Sequence, residues 1–267
     1  KLYTAIEAVG LAVSLAFVII IGSYVWQQYA VTREHPDGER IYVPGLPDSP
    51  ALTYGFPDVV KEIPEIDEVV RLCSPAVTFG GNEVLYAAAV DPSFFRMFPF
   101  YRFLEGNGDV LLSPSNVIVS ESFATRKELS LGDDLLLDGT EYTVGAIFKD
   151  VNGTVFQSYE LFLAADLYKN HWQLFDNFGS TITFLKVRPG TDRKALYDKL
   201  ETVCKEVYPD IYGRSFFDHL DLFRYDELFF RETNLQFRHG DLKTIRVLLL
   251  VGLLLLLSAI FNYVNLS

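Results

Sequence analysis

The sequence predicts an α+β fold, in which a mixed domain of short strands and helices is inserted between two transmembrane α-helices. Uncharged apolar runs occupy both ends of the 267-residue chain, at residues 8–26 and 247–266. The segment between them mixes strand and helix patterns without a regular alternation of the two. We therefore expect a first transmembrane helix over residues 1–29, a core domain over residues 30–240, and a stalk with a second transmembrane helix over residues 241–267.

The N-terminal run, Ala8 to Trp26, has the length of a membrane span. It ends among Tyr24, Trp26 and Tyr29, aromatic residues of the kind that lie at membrane–water interfaces. A cleaved signal peptide is the alternative, but the apolar part is long, a single Lys precedes it and no A-x-A pattern follows. Small residues on this span predict that a helix, such as the second run, packs closely against it. They are Gly10, Ala12, Ser14 and Ala16.

The C-terminal run, Val247 to Leu266, carries no charged residue and no polar stripe. As a helix it would be about 30 Å long, which matches the hydrocarbon layer of a membrane. The polar residues from Asp241 to Arg246 predict a helical stalk between the domain and this span. Since the sequence does not begin with Met, and no charged residue follows the second run, we expect it to be a fragment of a longer protein.

The net charge of −12 lies entirely within residues 27–246. Such an acidic segment disfavours binding to nucleic acid and docking on anionic lipid. Lys243 and Arg246, directly before the second span, would favour a cytoplasmic location of the domain. They carry little weight, because long segments cross the membrane largely regardless of charge.

The pattern of the domain predicts several short elements. Pro44 to Pro57 is rich in Pro and Gly and is expected to be an irregular connection. Residues 86–90 predict a strand, and residues 91–98 a helical turn opened by Asp91. Residues 116–120 predict a buried strand that runs into a helix over 121–128.

The second half of the domain begins with its clearest local signal, a hairpin over residues 135–148 that turns at Asp138-Gly139. A strand over residues 181–188 is followed by a helix capped by Thr191. One face of that helix is apolar and should pack on a sheet. It consists of Leu196, Leu200, Val203, Cys204 and Val207. A returning strand is predicted within residues 218–227.

The 22 Phe and 15 Tyr residues form two clusters in the sequence. We interpret the clusters as core packing, because exposed apolar patches are uncommon; an apolar substrate surface is the alternative. The first cluster is Phe94, Phe95, Phe98, Phe100, Tyr101 and Phe103, and the second is Phe216, Phe217, Phe223, Phe229 and Phe230.

Patterns of catalysis and metal binding are absent from the sequence. It contains no GxxxxGK[ST] nucleotide loop and no GxSxG nucleophile turn, so we expect no catalytic, cofactor-binding or metal-binding residue. The four histidines, His35, His171, His219 and His239, are interpreted as surface or hydrogen-bonded residues. The pairs Asp133-Asp134 and Asp226-Glu227 are interpreted as solvated surface.

The two cysteines, Cys73 and Cys204, lack the CxxC spacing and the nearby histidines of a zinc site. They are interpreted as small buried hydrophobic residues. A long-range disulfide is the alternative if the domain lies outside the cytoplasm.

Short motifs along the whole chain carry a resemblance to one family. Residues 35–42 (HPDGERIY), after the first span, and residues 261–267 (FNYVNLS), at the end of the second, are two of them. They resemble the FHP-x-x-x-RIY stretch and the end of the second span in permease subunits of the FtsX-like ABC transporter superfamily. Three further segments are similar to the MacB-like periplasmic core domain of that superfamily and occur in its order. They are residues 90–98 (VDPSFFRMF) with 104–106 (LEG), residues 117–124 (VIVSESFA) with 131–132, and residues 142–147 (YTVGAI).

The resemblance implies a non-enzymatic permease of the bacterial inner membrane, with residues 30–240 on the periplasmic side. It implies a separate ABC ATPase, a second permease copy or half, the lipid bilayer, and a periplasmic adaptor or substrate as partners, and neither cofactor nor nucleic acid. ATP hydrolysis by the ATPase would move the stalk helices and drive efflux or movement of a substrate outside. The Pro-rich residues 43–57 depart from the family pattern. The alternative is the ligand-sensing domain of a two-span receptor kinase.

Overall fold

The computed structural model describes residues 2–47, 49–169, 177–214, 217–231, 233 and 237–266; His171 and Phe216 lie outside them. Two long helices flank the domain, α1 (Leu2–Val31) and α7 (Leu242–Leu266). Their segments Val9–Val31 and Leu242–Phe261, with mean hydropathies of 2.2 and 2.6, are long and apolar enough to cross a membrane. Most of their apolar side chains are exposed, as expected for helices that face lipid.

The domain between them contains short helices and strands of mixed order. The helices are α2 (Phe56–Val60), α3 (Phe94–Met97), α4 (Glu121–Lys127), α5 (Arg193–Val207) and α6 (Tyr225–Leu228). The first strands are β1 (Ile41–Gly45), β2 (Ile66–Cys73), β3 (Val77–Phe79), β4 (Glu83–Leu85), β5 (Ala87–Val90) and β6 (Phe103–Glu105). The later strands are β7 (Asn116–Ser120), β8 (Asp134–Leu137), β9 (Thr140–Phe148), β10 (Leu161–Ala164), β11 (Thr181–Val187) and β12 (Asp221–Arg224).

These strands form one mixed sheet in the order β12-β1-β11-β2-β5-β10-β7-β9-β8-β3-β4, with β6 paired to β9. The pairs β5–β10 and β7–β9 are parallel, and the other pairs are antiparallel. Only Tyr86 separates β4 from β5 in the sequence. The last strand of the sheet therefore returns to its middle, and the sheet curls. The predicted α+β domain between two apolar helices is confirmed.

The aromatic residues form the core, as predicted. Phe94, Phe98, Phe156 and Phe162 lie in one large buried cluster with Phe184. A second cluster fills the curled part of the sheet, and a third lies between α5 and the strands β1 and β11. Cys73 and Cys204 are free and buried in the second and third clusters, which supports their interpretation as small hydrophobic residues.

The local turn signals are confirmed. The hairpin β8–β9 turns at Asp138 and Gly139, whose φ angles of 48° and 79° are those of a type I′ turn. Leu196, Leu200 and Cys204 of α5 are buried, as the apolar face predicted.

Three local predictions need correction. Pro44 and Gly45 are not irregular but continue β1, where they pair with Leu222 and Asp221 of β12; Pro is tolerated because this strand lies near the edge of the sheet. The carboxylate of Asp91 does not cap α3: it accepts a 2.8 Å hydrogen bond from the backbone N–H of Arg71. Helix α5 is capped by Asp192, which accepts from the Ala195 N–H, whereas the Thr191 hydroxyl donates to the Arg188 carbonyl.

The two long helices pack against each other, as predicted, but only one of the predicted small residues, Ser14, lies on the covered face of α1. Gly10, Ala12 and Ala16 are exposed. The partly covered face of α1 repeats at alternating intervals of three and four residues: Leu11, Ser14, Val18, Ile21 and Val25. The matching face of α7 is Ile245, Leu248, Gly252, Leu255 and Ala259. A heptad-like repeat of this kind is typical of a left-handed helix pair, and here α7 supplies two small residues, Gly252 and Ala259.

Candidate functional site at the junction of the domain and the helices

The features that connect the domain to its two helices form the candidate functional site. Within the described ranges, no group of three or more His, Cys, Asp or Glu side chains is arranged to hold a metal. Instead, buried polar contacts concentrate where α1 ends and α7 begins. We call this region, formed by residues 29–38, 151–159, 225–231 and 237–245, the junction.

Glu34 lies three residues after α1 and binds two separate parts of the domain. Its Oε1 accepts hydrogen bonds from the Tyr225 hydroxyl at 2.6 Å and from the Val155 backbone N–H at 3.3 Å. Its Oε2 is buried and has no hydrogen-bond donor among the described residues. Burial raises the pKa of this carboxyl to about 7, although both hydrogen bonds and the charge of Arg238 act in the opposite direction. A group that titrates near neutral pH therefore links α1 to the domain.

His35 is buried next to Glu34. Its Nδ1 accepts a hydrogen bond from the Asp37 backbone N–H, so its Nε2 carries the hydrogen and donates to the Met97 carbonyl. The ring meets Phe98 and Tyr225 edge-on. Burial lowers the pKa of the imidazole and favours its neutral form. Because both ring nitrogens are occupied, His35 holds α3 to the end of α1, in agreement with the hydrogen-bonded role expected for it.

One loop of the domain connects both helices. The Val155 N–H binds Glu34 at the end of α1, and the Val155 carbonyl accepts a 2.8 Å hydrogen bond from the Arg238 N–H, shortly before α7. The next residue, Phe156, forms a β-bridge with Phe237. The loop over residues 151–159 therefore bonds to the chain on both sides of the domain.

The start of α7 is fixed by close packing and by a cap. The Gly240 N–H donates to the Phe229 carbonyl at 2.8 Å, and a Cβ at Gly240 would collide with the Phe229 ring. The Asp241 carboxylate accepts the backbone N–H groups of Lys243 and Thr244 at 2.7 and 3.2 Å, as an N-cap does. The rest of the predicted stalk is helical up to the apolar run. Helix α7 thus begins immediately at the domain, without a flexible linker.

Aromatic rings continue the junction into the core. The Phe98 ring lies 4.9 Å from both Phe156 and Phe184 and 5.6 Å from Tyr225, between ring centroids. Nearer the membrane, Tyr29 of α1 contacts Phe230 at 5.2 Å. The rings therefore belong to one packed cluster that extends from the end of α1 to the sheet.

The remaining candidates lie elsewhere. His219 and His239 are exposed, as interpreted. Asp226 is not solvated as interpreted, because its carboxylate binds the Arg224 guanidinium through two hydrogen bonds of 2.5 and 3.0 Å. No sequence pattern indicated the role of Glu34. It is an ordinary acidic residue next to His35, and its partners are more than 100 residues away.

The comparisons with known proteins agree with this fold. A family model described as the MacB-like periplasmic core domain matches residues 4–203. Among curated proteins there is no match.

Solved structures with TM-scores above 0.5, such as the first two below, show the same fold at low sequence identity. A domain of a permease protein from Porphyromonas gingivalis is 17% identical, with a TM-score of 0.60, and the match covers 80% of this chain and 98% of that chain. The periplasmic region of MacB from Actinobacillus actinomycetemcomitans is 15% identical, with a TM-score of 0.52 and coverage of 72% and 91%. The extracellular domain of YknZ, a noncanonic ABC-type transporter from Gram-positive bacteria, is 12% identical, with a TM-score of 0.49 and coverage of 65% and 89%.

Proposed function

The chain belongs to the family of MacB-like periplasmic core domains, and from this premise we propose that it is the N-terminal part of a non-enzymatic ABC transporter permease that transmits movement across the membrane. In this proposal residues 1–29 form the first transmembrane helix, residues 241–267 form the stalk and the second transmembrane helix, and both helices cross the bacterial inner membrane. Residues 30–240 form the periplasmic domain. A separate ABC ATPase and a second permease copy or half complete the transporter.

The observation that carries the proposal is the double attachment of the loop over residues 151–159. Its Val155 binds Glu34 after α1 and Arg238 before α7. Both helices are thereby bonded to one segment of the domain, and they also pack on each other around Ile21 and Gly252. A change in the tilt of the pair, driven from the cytoplasm, would displace the sheet as one body. The receptor-kinase alternative has no comparable support, since the chain matches the MacB-like periplasmic core domain and shares its fold with a domain of a permease protein.

An insertion in the stalk tests the transmission of movement. Two glycines inserted between Lys243 and Thr244, in the complete permease assembled with its ATPase, should leave ATP hydrolysis in place and abolish substrate movement. The same insertion between Gly80 and Gly81 is the control, because this turn is exposed and open on all sides. Full transport by the stalk variant would refute the proposal.

The location of the domain is tested separately. A reporter that is active only in the cytoplasm, fused at the exposed Asn152, should be inactive. An active reporter would place the domain on the cytoplasmic side and would exclude a periplasmic role.

A further inference from the structure

A cavity of about 590 Å³ lies beside the start of α7, at the level where the chain would enter the membrane. Three of the charged residues that line it are basic, Arg231, Lys243 and Arg246, and one is acidic, Asp241; His239 also lines it. Phe230 and Leu242 form part of its apolar wall. The cavity thus combines positive charge with an apolar wall next to a membrane-spanning segment.

The charge here is opposite to that of the domain as a whole. Residues 228–246 contain four Lys or Arg residues and two acidic residues, whereas the chain carries a net charge of −12. Of the acidic residues near the cavity, Asp241 is engaged as the cap of α7, and Asp221 pairs with Arg231 at 2.8 Å. Lys243 and Arg246 are exposed and form no ion pair with any described residue. Their two charges are therefore available to a ligand.

The position of these two cations indicates what the ligand is. They are three residues apart on α7 and hence lie on one side of it, and the uncharged run begins at Val247, directly after Arg246. Phospholipid phosphates occupy this depth, just outside the hydrocarbon layer. Lys and Arg next to a span are enriched on the cytoplasmic side of membranes. That general preference does not explain two cations on the opposite side, whereas binding of an anionic ligand does.

We propose that this cavity binds the phosphate of an anionic phospholipid from the leaflet on the domain side. Lys243 and Arg246 neutralise the phosphate, and the guanidinium of Arg231, which lies 4.1 Å from the centroid of the Phe223 ring, borders the site. The glycerol and first acyl carbons pack on Phe230 and Leu242. The net negative charge of the domain disfavours binding of anionic lipid elsewhere on its surface, but the residues around this cavity are mainly basic. The inference rests on two parts of the proposed function, the span formed by α7 and the periplasmic location of the domain, and is independent of transport.

The probe for this site is dihexanoyl-phosphatidylglycerol, a short-chain anionic lipid that can be titrated into the full chain in detergent. We expect a saturable rise in the thermal unfolding midpoint, because a ligand that binds only the folded state stabilises it. In the variant Lys243→Gln/Arg246→Gln the apparent affinity should fall about 30-fold, or about 2 kcal/mol, since each surface cation contributes about 1 kcal/mol to binding anionic lipid. The control Lys61→Gln/Lys194→Gln removes two exposed charges outside the cavity and should bind like the original protein.

Three results would overturn the proposal. The first is unchanged lipid affinity in Lys243→Gln/Arg246→Gln. The second is equal binding of dihexanoyl-phosphatidylethanolamine, whose ammonium group neutralises the phosphate. The third is an equal effect of inorganic phosphate, which would identify a free anion as the ligand. The variant Lys243→Arg/Arg246→Lys changes the same two positions but keeps both charges, so it should retain lipid binding. If it also lost lipid binding, the loss in Lys243→Gln/Arg246→Gln would reflect misfolding and not the missing charges. Flotation of each variant with vesicles tests membrane insertion separately.

Discussion

The Tyr225 hydroxyl donates a 2.6 Å hydrogen bond to Oε1 of Glu34, although 191 residues separate the two in the sequence. The bond joins the segment after α1 to α6, which follows the edge strand β12. With the bond from Val155 to the same oxygen, it brings three distant parts of the chain to one carboxyl group. The junction therefore depends on tertiary folding and is expected to respond to the protonation of Glu34.

Glu34→Gln should remove part of the pH dependence of stability. The pKa of Glu34 is raised from its ordinary 4.5 to about 7, so the folded state holds the proton more tightly than the unfolded state. The protonated Glu34 carboxyl therefore stabilises the folded state. This contribution to the free energy of unfolding is fully present below about pH 4.5 and is lost as the pH rises through about 7. Glutamine keeps an acceptor for Tyr225 and Val155 but cannot ionise. Unfolding midpoints at pH 5 and pH 8 should diverge less in this variant than in the original protein.

The matched control for Glu34 is Glu62→Gln, which neutralises an exposed carboxylate. It should leave the pH dependence as it is in the original protein. An identical slope of stability against pH in Glu34→Gln and Glu62→Gln would show that Glu34 is not linked to folding.

Phe98→Ala should be strongly destabilising. Phe98 is fully buried and contacts the rings of Phe156, Phe184 and Tyr225, so its removal leaves a cavity between the junction and the sheet. Deletion of a buried Phe side chain costs about 3–5 kcal/mol. Leu112→Ala is the control, because this side chain is 75% exposed and its loss should cost less than about 0.5 kcal/mol. Similar denaturation midpoints for the two variants would contradict the central position of Phe98.

Gly240→Ala tests the close packing before α7. A Cβ at this position would collide with Phe229 and come within 2.7 Å of the Phe230 ring. Overpacking of this kind costs about 1–3 kcal/mol. Gly22→Ala is the control, since a Cβ at Gly22 has no neighbour within 4 Å. Thermal unfolding should show a lower midpoint for Gly240→Ala only; an unchanged midpoint would mean that the two rings move aside freely.

Ile21 and Gly252 should form a disulfide when both are replaced by cysteine. An added Cβ at Gly252 would lie 3.5 Å from Ile21, on the covered faces of α1 and α7. Ile20→Cys/Gly252→Cys is the control, because Ile20 is exposed on another side of α1. Mild oxidation in membranes, followed by gel electrophoresis after cleavage between the helices, distinguishes the two variants. Equal cross-linking of both would contradict the described helix pair.

The elements that could be predicted from the sequence are those whose structure is determined by residues close together in the chain. The hairpin follows from the backbone angles available to Asp138-Gly139, and the buried face of α5 follows from helical periodicity. The pairing of Pro44 with Leu222 could not be predicted, because it depends on a strand nearly 180 residues away. Of the four small residues predicted to form the helix contact, only Ser14 lies on the covered face of α1. Gly10 and Ala12 are two positions apart, so they point to nearly opposite sides of α1 and cannot share a face.

The candidate site was harder to predict than the family. Family resemblance depended on several short motifs in the correct order, and the match of residues 4–203 confirms it. The role of Glu34 depends on burial and on partners from two other segments, neither of which has a sequence signature. His35 was correctly expected to be hydrogen-bonded, but its burial among aromatic rings was not.

The most direct test of the transmitted movement is a distance measured between the periplasmic domains of an assembled permease with its ATPase. Spin labels can be placed at Lys194→Cys, on the exposed side of α5, because the native Cys73 and Cys204 are buried. The distance between labels on the two permease copies should differ between the ATP-free and the ATP-bound state. Two glycines inserted between Lys243 and Thr244 should abolish this difference while ATP hydrolysis continues. The same ATP-dependent change in distance with and without the insertion would contradict transmission through the junction.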